Sequence, residues 1–426
     1  MLKKVSKIKN LKGEIKIPAD KSISHRAIML SSIASGNNII RNFSNGADCF
    51  STVNIFKQLG IDINFIDEKT LNIKGGKLKA SKETLNVGNS GTTIRLVSGI
   101  LAGQDFNSFL TGDESLSKRP MKRIIEPLTL MGAEIYSQNG YAPLEIKGRN
   151  LQGINYTSEL SSAQVKSCIL LAGLNKNTQG KTSYTEKNIS RNHTELMLKY
   201  LGANIETQKN TTYISPSELI SKDIDIVGDI SSASFFIVAG LIVEGSDFTI
   251  KNVGINPTRT GIIDIIKKMN GDIEILNSHE ISGEKVADIR VRYSDKLIGC
   301  EISGKDIPRL IDEIPIIAVL ASQAEGTTLI KDAQDLRNKE SDRISHLAKE
   351  LKKIGVNINE YIDGFEIEGK SPLKGDAELE THHDHRLAMS FYIAGLVCEK
   401  EILIKDFEWI NISFPEFEKL FSKLLL

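Results

Sequence analysis

Apolar and polar positions along this chain fall into recurring blocks. A short polar run opens each block, an apolar stretch of helical length follows, and a glycine closes it. The blocks are SISHRAIMLSSIASG (22–36), SGTTIRLVSGILAG (90–103), SAQVKSCILLAG (162–173), SSASFFIVAG (231–240), DEIPIIAVLASQAEG (312–326) and HDHRLAMSFYIAG (383–395). The closing glycines, Gly36, Gly103, Gly173, Gly240, Gly326 and Gly395, are 67, 70, 67, 86 and 69 residues apart. Strand-like segments follow them, such as NNIIRNF, DFTIKNV, TTLIKDA and EILIKDF. A second pattern lies between the blocks: FKQLGIDINF, LTLMGAEIY, LKYLGANIE, KKMNGDIEI and KKIGVNINE each read as helix end, turn, strand. The turn residue is Gly or Asn, the types that a left-handed helix C-cap prefers.

Two independent patterns with one period predict an α/β fold of six βαβαββ units, each of roughly 70 residues. Six units divide naturally into two domains of three, with the break near residues 226–230. The sixth unit reaches its helix, FEKLFSKLLL, without its last strand, and the N-terminal segment VSKIKNLKGEIKI is placed to supply it. The expected domains are therefore 18–228, and 1–17 plus 229–426, with an active site in the cleft between them. The longest spacing marks an insertion around residues 275–300.

Composition narrows the functional classes. Lys plus Arg and Asp plus Glu number 54 each, so no polyanion such as nucleic acid is an expected partner. No apolar run is long enough for a membrane span, and the basic N-terminus lacks the apolar core of a signal peptide. Cys49, Cys168, Cys300 and Cys398 form no CxxC pair, and free thiols point to the cytoplasm. A monomer is the default expectation.

The polar block starts carry the candidate chemistry. A helix N-terminus presents unpaired N–H groups and about half a positive charge, and so seats anions. Ser, Asp and Asn there are ordinary caps, but cations oppose the helix dipole and suggest a bound anion. Lys21, Ser22 and Arg26 stand at the first start; Asn89, Ser90, Gly91, Thr92 and Arg95 at the second; Ser161, Ser162, Gln164 and Lys166 at the third; Asp312 and Glu313 at the fifth; Asp384, His385 and Arg386 at the sixth. Polar loops add Lys118, Arg119, Arg123, Arg191, Arg259, Lys339 and Arg343. The set suits a small substrate bearing phosphates or carboxylates. Beside such cations Asp312 and Glu340 stay ionised, which suits a general base. His382 and His383 are adjacent and point apart, without a second His or Cys cluster, so a metal site is not expected; both read as solvated loop residues. No phosphate-binding P-loop, dinucleotide fingerprint or GxSxG elbow appears.

The stretches PADKSISHRA, GNSGTTIRL, LSKRPMKRIIEPL, SSAQVKS, SRNHTE, LIDEIP, KESDR and DHRLAMSF together resemble the EPSP synthase (3-phosphoshikimate 1-carboxyvinyltransferase) family over the full length, closest to its class II variant. The resemblance implies the two-domain enolpyruvyl transferase fold and transfer of an enolpyruvyl group from phosphoenolpyruvate to the 5-hydroxyl of shikimate 3-phosphate. It implies no metal and no cofactor. By resemblance, Asp312 accepts the hydroxyl proton, and Glu340 and Lys21 handle the proton at C3. Lys21, Ser22, Arg26, Ser162, Gln164, Ser190, Arg191, Asp312 and Lys339 face shikimate 3-phosphate. Lys21, Asn89, Gly91, Arg119, Gln164, Arg343, His385 and Arg386 face phosphoenolpyruvate. Glyphosate, a phosphoenolpyruvate mimic, is the implied inhibitor; the class II match implies weaker inhibition, against which the retained Gly91 counts. Two positions depart from the family. Ile412 stands where many members carry Lys, so that cation is either dispensable in this branch or replaced by Arg259 and others, and Asp335 stands where Asn is common. The sister enzyme acting on UDP-N-acetylglucosamine usually carries a loop Cys, and QDFNSFLTGDESLSKRP has none. Ligand binding is expected to compact the molecule.

Overall fold

The computed structural model describes residues 1–159 and 161–425. It contains helices α1 (Lys21–Ile33), α2 (Ala47–Gln58), α3 (Gly91–Ala102), α4 (Glu114–Ser117), α5 (Lys122–Leu130), α6 (Ala163–Leu174) and α7 (His193–Tyr200). These are followed by α8 (Ile230–Ile242), α9 (Gly261–Lys268), α10 (Ile307–Leu310), α11 (Ile314–Gln323), α12 (Arg343–Lys353), α13 (His385–Gly395) and α14 (Phe417–Leu424). Two compact units result. An inner unit holds Ala19–Ile226 with Ile281–Glu284; a terminal unit holds Met1–Pro18, Val227–Glu280 and Lys285–Leu426.

Among the described residues the strands form six small sheets. The second shows the plan: Leu85–Asn86 pairs in parallel with Asn107–Thr111 across α3, and the hairpin Glu134–Gln138 and Tyr141–Lys147 adds antiparallel strands after α5. This is the βαβαββ unit that the spacing predicts. In the first sheet the opening strand is missing locally and Ile224–Asp225, from the far end of the inner unit, fills its place beside Gly36–Arg41. The N-terminal segment divides where a single strand was expected. Lys3–Val5 pairs with Ile402–Lys405 and completes the sixth sheet, while Lys12–Lys16 pairs with Asp247–Lys251 and opens the fourth. The insertion is a long hairpin, Ile273–Ile281 with Glu284–Arg292.

Within each unit the block helices pack on one another: α1 and α6 flank α3, and α8, α11 and α13 form a second group. Their near-total burial explains why their sequences are apolar on every side, with no single stripe. The other helices, such as α9 and α12, bury one face and leave Lys-rich faces outside.

The turn residues behave as read: Gly60, Gly132, Gly202, Asn270 and Gly355 all have positive φ, between 62° and 102°. The closing glycines are less uniform. Gly36 and Gly326 end their blocks at positive φ, but Gly173, Gly240 and Gly395 lie inside α6, α8 and α13. A Cβ there would come within 2.7 Å of Thr182 Oγ1, 2.7 Å of Phe248 Cε1 and 2.8 Å of Val5 Cγ1 respectively. Their period records helix-on-sheet contact, not helix termination.

Candidate active site

The block helices start as the sequence suggests. Asp20, Ser90, Ser162, Asp229 and Asp384 cap α1, α3, α6, α8 and α13 by accepting backbone N–H bonds. The fifth start differs: Glu313 precedes α11 and makes no cap bond, with Pro315 in the first turn.

In the inner unit, Lys21 opens α1 and its Nζ lies 2.5 Å from Asp48 Oδ2 in the first turn of α2. Ser22 is partly exposed beside it. Arg26 is buried one turn later and donates to the Ser22 carbonyl (2.9 Å), Ser167 Oγ (2.9 Å) and Thr194 Oγ1 (2.7 Å). It thus ties α1 to α6 and α7. Gln164 is gripped at both ends of its amide: Oε1 accepts from Arg95 at 2.5 Å, and Nε2 donates to Thr92 at 3.1 Å. Asn89 accepts from Arg119 (2.7 Å) and donates to Asp113 (2.8 Å). Gly91 starts α3 beneath both guanidiniums; a Cβ there would lie 3.2 Å from Arg95 Nη1 and 3.4 Å from Arg119 Nη1. Lys118 points away into solvent, paired with Glu114. Ser162 is occupied as a cap. Arg191 is partly exposed, but the neighbouring Ser190 is buried and its hydroxyl donates to Glu186 at 2.6 Å. The Ser190 proton is therefore committed inside the protein and fixes the loop that carries Arg191.

His25, one turn after Lys21 on the face of α1 that meets α2, begins a buried chain of side chains. Its Nδ1 is 2.6 Å from Thr52, Thr52 is 2.7 Å from Thr93, and Thr93 is 2.7 Å from the capping Ser90. Burial, with Lys21 and Arg26 nearby, lowers the His25 pKa to about 3 and keeps the ring neutral.

In the terminal unit, Arg343 is the hub. It is 1 % exposed. Its Nε donates to Asp384 at 2.8 Å and its Nη2 to Glu340 at 2.6 Å, and Nη1 lies 3.6 Å from Asp312. Burial works against its charge, but Asp384 and Glu340 outweigh burial and raise its pKa. Burial alone would raise the pKa of Asp384; Arg343 reverses this and holds it down. Lys339 Nζ is 3.6 Å from Asp312 and 3.8 Å from Asp335. Arg386 donates to the Asp312 carbonyl at 3.0 Å and lies 3.9 Å from Glu313. His385 is buried in the first turn of α13. The cluster joins Asp312, Lys339, Glu340, Arg343, His385 and Arg386.

Sequence reading missed Asp48, while Glu313 and Arg259, already among its candidates, find partners that it did not foresee. Asp48 partners Lys21 from 27 residues away, and nothing in its local pattern signals this. Glu313 is fully buried, takes the hydroxyl of Ser231, and lies 4.0 Å from Arg259. Arg259 is itself buried and donates to Ser231 at 2.6 Å and to Asp229 at 3.3 Å. It organises the start of α8. The expectation for His382 also needs correction. Its ring stacks on His346, with centroids 3.8 Å apart, and its Nε2 is 3.3 Å from Glu350. His383 meets Trp409 edge-on. Among the described residues, Glu350, Glu380 and His382 bring three donor atoms within 4.8 Å of one another. Lys353 already sits 2.6 Å from Glu350, which makes an ammonium the resident cation there.

The model of the EPSP synthase (3-phosphoshikimate 1-carboxyvinyltransferase) family matches residues 5–421. A 3-phosphoshikimate 1-carboxyvinyltransferase from Thermoanaerobacter sp. (strain X514) is 52 % identical over 99 % of each chain. One from Thermodesulfovibrio yellowstonii is 51 % identical, again over 99 % of each. Among solved structures, an EPSP synthase from Acinetobacter baumannii superposes with a TM-score of 0.89 at 42 % identity, covering 100 % of this chain and 98 % of that one. The enolpyruvyl transferase NikO from Streptomyces tendae shares the fold, with a TM-score of 0.80 at 17 % identity, over 99 % of this chain and 97 % of that one. Helix starts rich in cations, a carboxylate ringed by Lys and Arg, and a full-length match at this identity lead to one conclusion: the chain belongs to the EPSP synthase family.

Proposed function

We infer that this protein transfers the enolpyruvyl group of phosphoenolpyruvate to the 5-hydroxyl of shikimate 3-phosphate, giving 5-enolpyruvylshikimate 3-phosphate and inorganic phosphate. The observation that carries the mechanism is Asp312. Its carboxylate is flanked by Lys339 and Arg343, and its own carbonyl anchors Arg386. A carboxylate so flanked is in the ionised form that a general base needs.

The 5-hydroxyl oxygen attacks C2 of phosphoenolpyruvate and gives its proton to Asp312. C3 gains a proton, and a tetrahedral intermediate results. Loss of the C3 proton and cleavage of the C2–O bond then release phosphate. Lys21 and Glu340 are assigned the C3 proton; Asp48 and Arg343 hold their side chains in place. Lys21, Ser22, Arg26, Gln164, Arg191 and Lys339 are assigned to shikimate 3-phosphate, with Ser162 and Ser190 shaping its phosphate end. Arg119, Arg343, His385 and Arg386 are assigned to phosphoenolpyruvate, with Asn89 orienting Arg119 and Gly91 admitting the ligand. Two anionic ligands brought together need this many cations. On this reading no metal or cofactor takes part, and the protein works as a cytoplasmic monomer. Free cysteines support that compartment.

The test is phosphate release from phosphoenolpyruvate in the presence of a chelator, with shikimate 3-phosphate or UDP-N-acetylglucosamine as acceptor. Release is expected with shikimate 3-phosphate alone. Release only with the sugar nucleotide, or with neither, overturns the reading.

A further inference from the structure

We propose that Lys166 is a positioning residue for the phosphate end of the acceptor site, acting through the segment that carries Arg191. The proposal rests on the reading of shikimate 3-phosphate as the acceptor.

Lys166 lies in α6 and is 1 % exposed. Its Nζ meets Glu186 Oε1 at 2.7 Å, Glu195 Oε1 at 2.8 Å and the Ser190 carbonyl at 3.2 Å. Burial disfavours the ammonium, but the two carboxylates outweigh it and raise its pKa, so the group stays charged. Glu186 in turn accepts from the Ser190 N–H (3.0 Å) and hydroxyl (2.6 Å). Ser190 is therefore held by all three of its polar groups. Glu186 ends one strand and Glu195 stands in the first turn of α7. One ammonium thus clamps both ends of the connection 186–195, and the partly exposed Arg191 lies between them in sequence.

The internal repeat argues that the fold does not require this cation. Lys166 is four residues past the capping Ser162. The equivalent positions in the other four side-chain-capped block helices, α1, α3, α8 and α13, are Ser24, Ile94, Ala233 and Ala388, none of them charged. Replacing a buried ion pair with apolar side chains is often neutral or stabilising. A buried ammonium retained at this one site, beneath the loop with the phosphate-facing Arg, points to control of that loop.

The experiment is steady-state kinetics of Lys166→Met and Glu186→Gln, varying each substrate, alone and combined with Arg191→Ala. The expected result is a rise of about tenfold in KM for shikimate 3-phosphate, with KM for phosphoenolpyruvate little changed. With Arg191 already removed, Lys166→Met should add less than about twofold, because neighbours that act through one contact are not additive. Equal rises in both KM values, or full additivity with Arg191→Ala, overturn the proposal. If Lys166→Met does not fold, the isosteric Glu186→Gln decides. A wild-type protein inactive with shikimate 3-phosphate removes the acceptor reading and this proposal with it. An active wild type with unchanged KM values in both variants removes this proposal alone.

Discussion

At the scale of single residues, the terminal-unit cluster turns on the Asp312 carboxylate and the guanidinium packed against it. Asp312 is partly exposed, and Arg343 beneath it is fully buried. Asp312→Asn keeps the size and the backbone anchor of Arg386 but loses the proton acceptor. Its kcat is expected to fall about 10²–10⁴-fold, the usual contribution of a general base, with KM for phosphoenolpyruvate little altered. A kcat within threefold of wild type would move the base elsewhere. His25 provides a second, independent check. It is neutral when folded, with a pKa near 3, whereas the unfolded chain protonates it below about 6.5. Its lowered folded pKa therefore supplies stability that is complete above pH 6.5 and is lost as pH falls from there toward 3. Between pH 7 and pH 5 the loss is on the order of 2 kcal/mol. Urea unfolding at the two pH values should show a smaller loss for His25→Gln than for wild type. Equal losses would mean that His25 is not the titrating group.

At the scale of elements, Asp384 does two jobs. It caps α13 through the N–H groups of Arg386 and Leu387, and it neutralises Arg343. Asp384→Ala should destabilise by about 3–5 kcal/mol, because it leaves a buried guanidinium short of its partner. Asp384→Asn keeps an acceptor for the cap and should cost less. Calorimetry that found the two variants equal would assign the whole effect to charge. The helices, their caps and their turns were legible in the sequence because each is a local rule: Asp, Ser or Asn before an apolar run, Gly or Asn after it. The role of Gly173, Gly240 and Gly395 was not, because helix-on-sheet contact involves residues far apart in sequence. The same limit hid Asp48 from Lys21, and Glu186 and Glu195 from Lys166. His382 looked solvated because its partners, His346 and Glu350, come from α12, more than thirty residues earlier. Arg259 read only as a polar-loop cation because its anions, Asp229 and Glu313, are remote in sequence.

At the scale of the whole molecule, chain order and fold order differ. The inner unit is nearly continuous in sequence and closes its first sheet with its own last strand, Ile224–Asp225. The terminal unit needs both ends of the chain. A fragment 18–228 is expected to unfold in one cooperative transition, while 229–426 should gain one only when a peptide 1–17 is supplied. A cooperative transition of 229–426 alone would show that the N-terminal strands are dispensable. The division of that N-terminal segment also has a consequence for synthesis. Lys3–Val5 finds its partner only at Ile402–Lys405. At about 5–20 residues per second the ribosome needs tens of seconds to reach that point. Throughout that interval the strand has no native neighbour and could pair with another nascent chain. Lys3, Lys4, Lys7, Lys9, Lys12 and Lys16 crowd these first residues with like charge. Such charge on an open edge deters the wrong pairing while permitting the right one, where Glu401 waits for Lys4 and Glu418 for Lys3. These lysines thus guard a strand whose partner is synthesised long after it.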